Sequence, residues 1–112
     1  MLSTTNRDGI AIVTVIEDRI DAAAAIRFKD AMRTTMDELN GRIVLDMSAV
    51  RFVDSSGLGA IVASKKLAGA SKSLDLAGLS PDVDKVFRLT RMNSVFDIYA
   101  TVDNAIDLRA AG

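Results

Sequence analysis

The run Ile10-Ala11-Ile12-Val13-Thr14-Val15-Ile16 constrains this chain more than any other stretch. Its β-branched, almost wholly apolar side chains favour an extended strand, and successive side chains of a strand point to opposite faces. Apolar groups on both faces need cover on both, which is the situation of a central strand in a layered α/β domain. Asp8-Gly9, just before it, is a tight-hairpin signal. Residues 1–6 are therefore expected to pair with the run as a short polar edge strand.

Helical patterns alternate with further apolar runs. Asp21 can cap exposed helix amides. Ala25, Phe28, Met32, Met36 and Leu39 then recur at spacings of three and four, marking one face of a helix that Asn40-Gly41 closes. The Met32/Met36 pair reads as core filler. Ile43-Val44-Leu45, ending at Asp46, reads as a buried strand. After a connection and Arg51-Phe52-Val53, Leu58, Ile61 and Val62 predict a second helix from Leu58 to about Ala68, with Gly69 at its end. Ser73 to Leu79 predicts another strand. Ser80-Pro81 predicts a third helix, with Ser80 as cap and Pro81 at the first helical position, where its missing N–H has no partner to lose. Val83, Val86 and Phe87 form its apolar face. Asp97 to Thr101 predicts a short last strand, and Val102 to Ala111 a terminal helix with Ala105, Ile106 and Leu108 partly buried. Strands separated by helices imply mostly parallel pairing through right-handed crossovers. The expected fold class is α/β: one domain over residues 1–112, with a mostly parallel central sheet of about four to five strands and helices packed against it.

Composition narrows the chemistry. The chain has 14 Lys+Arg against 15 Asp+Glu, a net charge of −1, and neither His nor Cys. A near-neutral chain lacks the basic footprint that nucleic acid requires. Without His and Cys there are no thiol nucleophiles, disulfides, Ser–His pairs or usual zinc ligands. No metal and no cofactor are expected. No apolar run approaches the ~18 residues of a membrane span, and the first six residues lack the pattern of a signal peptide. A cytoplasmic chain without membrane attachment is expected. Nothing points to an obligate oligomer, so the expectation is a monomer.

The densest unusual feature is Asp54-Ser55-Ser56-Gly57-Leu58-Gly59, at a loop-to-helix junction. A helix needs one cap, and three capping residues stand here side by side. Spare hydroxyls beside unpaired backbone N–H groups, at the positive end of a helix dipole, suit a bound or covalent phosphate. Gly57 and Gly59 remove side chains and permit close approach of another backbone or a nucleotide. The rival reading is a plain N-cap with close packing. Neither a dinucleotide fingerprint nor a Walker loop is present, because the third glycine and the Gly-Lys-Ser/Thr are missing.

The stretch from Ile43 to Gly59, IVLDMSAVRFVDSSGLG, resembles the central motif of STAS domains, the sulphate transporter and anti-sigma factor antagonist family. The likeness is greatest to the free-standing bacterial anti-sigma factor antagonists. Asp18-Arg19-Ile20-Asp21 resembles the family's Gly-x-Leu-Asp turn, with Asp18 in place of the glycine. Leu79-Ser80-Pro81-Asp82-Val83 with Val86-Phe87 resembles its Ser-Pro helix start. The resemblance implies a non-enzymatic partner switch. The serine after the aspartate, here Ser55, is phosphorylated by a serine-protein kinase that doubles as an anti-sigma factor. The unphosphorylated protein binds that kinase and frees the sigma factor, the phosphorylated protein lets go, and a phosphatase resets it. On that basis Ser55 is the acceptor. Asp54 caps or orients the loop and helps position the hydroxyl for the kinase, and Ser56 is the structural second serine and rival acceptor. Gly57 and Gly59 allow close approach. Asp21 matches the family's aspartate near the phosphosite, with a plain helix cap as the other reading. Leu58 is either an exposed partner anchor or core, and Lys65 and Lys66 belong to a solvated helix face, with a partner contact as the other reading.

Other jobs fit the same fold: a different kinase–phosphatase partner switch, a stress-sensing assembly, or a soluble subunit beside a lipid transporter. An enzyme with Ser55 as nucleophile and a lysine base lacks a second base near the motif. A passive phosphate- or nucleotide-binding module lacks any residue to read a base.

Overall fold

The computed structural model of the chain describes residues 1–111, with side chains as far as Asp107. Strand β1 (Leu2–Arg7) turns back through Asp8 and Gly9, both at positive φ (55° and 80°), into β2 (Ile10–Val15). A two-residue turn with both φ values positive matches the twist of a hairpin, hence the Asp-Gly. The chain continues through β3 (Arg19–Ile20), α1 (Ala22–Asp37), β4 (Gly41–Asp46), β5 (Phe52–Val53), α2 (Ser55–Ala68), β6 (Lys72–Ala77) and α3 (Pro81–Leu89). A 3-10 turn at Met92–Ser94, β7 (Ile98–Tyr99) and α4 (Val102–Ala111) complete it.

The main sheet runs β1-β2-β4-β6-β7, antiparallel only at β1–β2 and parallel elsewhere. This is the expected single α/β domain with a mostly parallel five-stranded sheet. Strand β2 is covered on both faces, as its composition requires. Val13 and Val15 join Ile43, Leu45, Leu74 and Leu76 on one face, under Phe28, Met32, Met36, Ile61 and Phe87 of α1, α2 and α3. Ile12 joins Val44 and Ala77 on the other, under Ala105 and Ile106 of α4. The expected partial burial of Leu108 lies outside the described side chains. Helix α4 is also tied down by Arg42 of β4. Its guanidinium donates to the Asp75 carboxylate at 2.8 and 3.0 Å and to the Ala105 carbonyl at 3.0 Å.

Several elements differ from the sequence expectation. Helix α2 begins at Ser55, not Leu58, because Asp54 caps it directly and its first turn carries no apolar stripe to reveal it. Gly41, at φ +71°, opens β4, while α1 has already ended at Asp37. Strand β6 covers Lys72–Ala77 rather than Ser73–Leu79, since Gly78 at φ +75° breaks the extended run. Ser80 does not cap α3 through its side chain; its hydroxyl is buried without a partner. Residues Arg19–Ile20 and Phe52–Val53 form an unanticipated second, two-stranded parallel sheet.

Candidate functional site

The small β3–β5 sheet sets the geometry of the site. Its register pairs Arg19 with Phe52 and Ile20 with Val53, so the next residues, Asp21 and Asp54, leave it side by side. Both adopt the same extended conformation (φ −101°, ψ −172° and φ −97°, ψ −173°), and each caps the helix that follows. An extended N-cap whose carboxylate turns back onto the N3 amide is what an Asp at a helix start does. Asp21 Oδ1 accepts from Ala24 N at 3.1 Å, and Asp54 Oδ1 accepts from Gly57 N at 2.9 Å. Asp54 does more: its Oδ2 accepts from Ala22 N, the first amide of α1, at 3.1 Å. One carboxylate thus holds the positive ends of two helices together.

Ser55 and Ser56 occupy the first two positions of α2 and are exposed. Among the described residues neither hydroxyl has a hydrogen-bond partner within the chain. Gly57 is buried, and a Cβ there would stand 1.8 Å from the Ile20 carbonyl oxygen. Its close approach is therefore to this chain's own β3. Gly59 is different: it is exposed, with nothing within 4 Å of a Cβ. Leu58 lies between the two readings left open for it, half-buried against the edge of the main core. Lys65 reaches the Leu74 carbonyl at 3.4 Å and lies over the Phe96 ring, whereas Lys66 is exposed.

Asp18 fills the place of the family glycine without strain, since its φ is not positive. Its carbonyl accepts from Arg51 N at 2.7 Å and Phe52 N at 3.3 Å, tying the two strand–helix turns together. Two neighbours of the site were not singled out from sequence. The Arg19 guanidinium lies 4.4 Å from the centre of the Phe52 ring and 3.4 Å from the Asp21 carboxylate. Phe52 is 40 % exposed, an unusual state for a phenylalanine. Its position in a short strand hid this, because two residues carry no readable periodicity.

The Ala24 amide, and after it the Arg19 guanidinium, hold the Asp21 carboxyl below its ordinary value of 3.8 despite some desolvation. A depressed folded-state value means the charged form stabilises the fold above the ordinary value. That contribution is lost as pH falls through the folded one. Asp21→Asn keeps a capping oxygen and removes the titration. Thermal melts taken from about pH 5 down toward pH 2 should show a shallower loss of Tm in Asp21→Asn than in the parent. Equal slopes would remove Asp21 from the acid response.

Among the described residues no helix is long and apolar enough to cross a membrane. Residues 1–105 match the family model described as the STAS domain. The anti-sigma-B factor antagonist of Listeria monocytogenes is 30% identical over 93 residues, 82% of this chain and 82% of that one. In three dimensions, the crystal structure of an anti-sigma factor antagonist from Mycobacterium paratuberculosis superposes with a TM-score of 0.86 at 25% identity, covering 96% of this chain and 92% of that one. The Bacillus cell fate determinant SpoIIAA in its phosphorylated form shares the fold, with a TM-score of 0.65 at 21% identity over 96% of this chain and 97% of that one. With the family match spanning nearly its whole length, this chain belongs to the STAS domain family.

Proposed function

We propose that this chain is an anti-sigma factor antagonist that works as a partner switch controlled by phosphorylation of Ser55. The observation that carries the reading is the setting of Ser55. Its hydroxyl is exposed at the first position of α2, beside a carboxylate already engaged by two helix N-termini. The names of the curated relatives support the sigma-factor circuit. In the unphosphorylated state the chain binds an anti-sigma factor that is also a serine-protein kinase. Phosphorylation releases it, and a phosphatase restores the starting state. The chain itself is substrate and ligand, not enzyme, and acts in the cytoplasm without nucleic acid or membrane as partner.

The physics of release is local. A phosphate adds roughly −1.5 to −2 charges at neutral pH, against a net charge of −1 for the whole chain. At a helix N-terminus that charge sits with the dipole, so the fold tolerates it. Within an interface the same group adds bulk, repulsion and a desolvation cost. Occupancy reverses with roughly 3–5 kcal/mol of differential binding.

The test uses the purified chain, the anti-sigma factor kinase and ATP, read by intact mass, site mapping and a binding titration. The parent should gain one phosphate at Ser55 and lose affinity at least about a hundredfold, the equivalent of ~2.7 kcal/mol. Ser55→Ala should gain none and bind constitutively, Ser55→Asp should bind poorly, and Ser56→Ala should behave as the parent. Phosphate on Ser56, or unchanged binding by Ser55→Asp and by the phosphorylated parent, would overturn the proposal.

A further inference from the structure

The outer edge of the main sheet points to a second partner surface. Strand β1 pairs with β2 without a bulge, from Leu2 opposite Val15 to Arg7 opposite Ile10. Among the described residues its other side carries no strand, because β1 ends the sheet. Natural edges of this length are guarded by Lys, Pro, bulges or inward charges, since a bare row of N–H and C=O groups invites another strand. Residues 2–6, Leu-Ser-Thr-Thr-Asn, contain none of these guards. The charge at the end of the strand is already engaged: Arg7 pairs with Asp103 of α4 at 2.7 Å.

The free groups can be assigned. Ile16 N donates to Met1 O at 2.8 Å, and the register places those two residues opposite each other. Hydrogen-bonded and non-hydrogen-bonded pairs alternate along an antiparallel ladder. Residues 1, 3, 5 and 7 therefore bond inward to β2, and Leu2, Thr4 and Asn6 turn their backbone groups outward. The same three side chains share one sheet face, opposite Val15, Val13 and Ala11.

We infer that β1 is a self-pairing edge, and that its occupant is β1 of a second copy of this chain. A two-fold axis perpendicular to the sheet keeps each face continuous only if facing residue numbers sum to an even value. Centred on Thr4, it sets Thr4 against Thr4 of the second copy, and Leu2 against Asn6 on either side. Those are the residues with outward donors and acceptors, so every free group from Leu2 to Asn6 finds a partner. Ser3 then faces Thr5 of the second copy, a hydroxyl pair of the kind that stabilises sheets. No charged side chain lies within the paired segment. The result is one continuous ten-stranded sheet, two five-stranded sheets joined edge to edge, in place of the monomer expected from sequence. None of the residues at the Ser55 site belongs to this edge.

The experiment is sedimentation and light scattering of the full chain over a concentration series, with three variants. The parent should reach the mass of a dimer. Thr4→Lys sets like charges face to face at the axis and should weaken association at least tenfold while its far-UV circular dichroism stays that of the parent. The chain has no cysteine of its own, so Thr4→Cys should oxidise to a disulfide-linked dimer, its Cα atoms standing about 5.5 Å apart across the axis. Ser3→Cys, which faces residue 5 instead of itself, should link much more slowly. A parent that stays monomeric throughout, a Thr4→Lys dimer as strong as the parent's, or equal linking by the two cysteine variants would each overturn the inference.

Discussion

Gly57→Ala should cost this protein about 3 kcal/mol or more and lower its Tm by roughly 12 °C or more, or prevent folding outright. A methyl group at that position would stand 1.8 Å from the Ile20 carbonyl oxygen, far inside any contact distance, and the atom it meets is backbone that cannot swing aside. Relief requires α2 to move off β3. That movement would also break the Asp54 bridge to Gly57 and Ala22. Gly59→Ala is the control two residues away, in the same helix but with open space around it. There the exchange removes only the conformational freedom of glycine in the unfolded chain, and a gain of about 0.5–1 kcal/mol is expected. Thermal and denaturant unfolding of the two variants should move in opposite directions. A Gly57→Ala protein as stable as the parent would mean that α2 is not held against β3 as described.

Arg42→Ala should destabilise by about 3–5 kcal/mol, because it leaves a carboxylate buried and unpaired. The Arg42 and Asp75 side chains are 9% and 8% exposed, so water cannot take over the lost partner. The variant also releases α4, whose Ala105 carbonyl accepts from the same guanidinium. Replacing both members by apolar side chains, Arg42→Met with Asp75→Leu, should recover much of the loss, since it removes the unpaired charge. Urea unfolding of the single and double variants checks this; a double variant no more stable than Arg42→Ala would show that the pair's value lies in the α4 tie alone.

Much of the fold was legible in the chain itself. The apolar run at Ile10–Ile16 implied a strand covered on both faces, and Val13 and Ile12 do lie in opposite cores. The stripe of Phe28, Met32 and Met36 is the buried face of α1. Both Asp-led turns were readable as helix caps, and the cluster around Ser55 stood out for having more capping groups than one helix needs. Their signals are residue spacings and capping side chains within a turn or two of chain, so short windows of sequence contain them.

The elements that escaped reading join distant segments. Two-residue strands at Arg19–Ile20 and Phe52–Val53 have no pattern of their own and exist only because they meet. That meeting makes Gly57 indispensable and leaves Gly59 free, a difference no local rule separates. It also lets Asp54 reach a second helix, 32 residues earlier in the chain. Local physics in the sequence alone thus determined the longer strands and helices, which faces they bury, and that a serine stands at a helix start. Only tertiary structure decided that two helix starts share one carboxylate there, because that depends on the approach of backbones whose separation in the chain leaves no trace in periodicity or propensity.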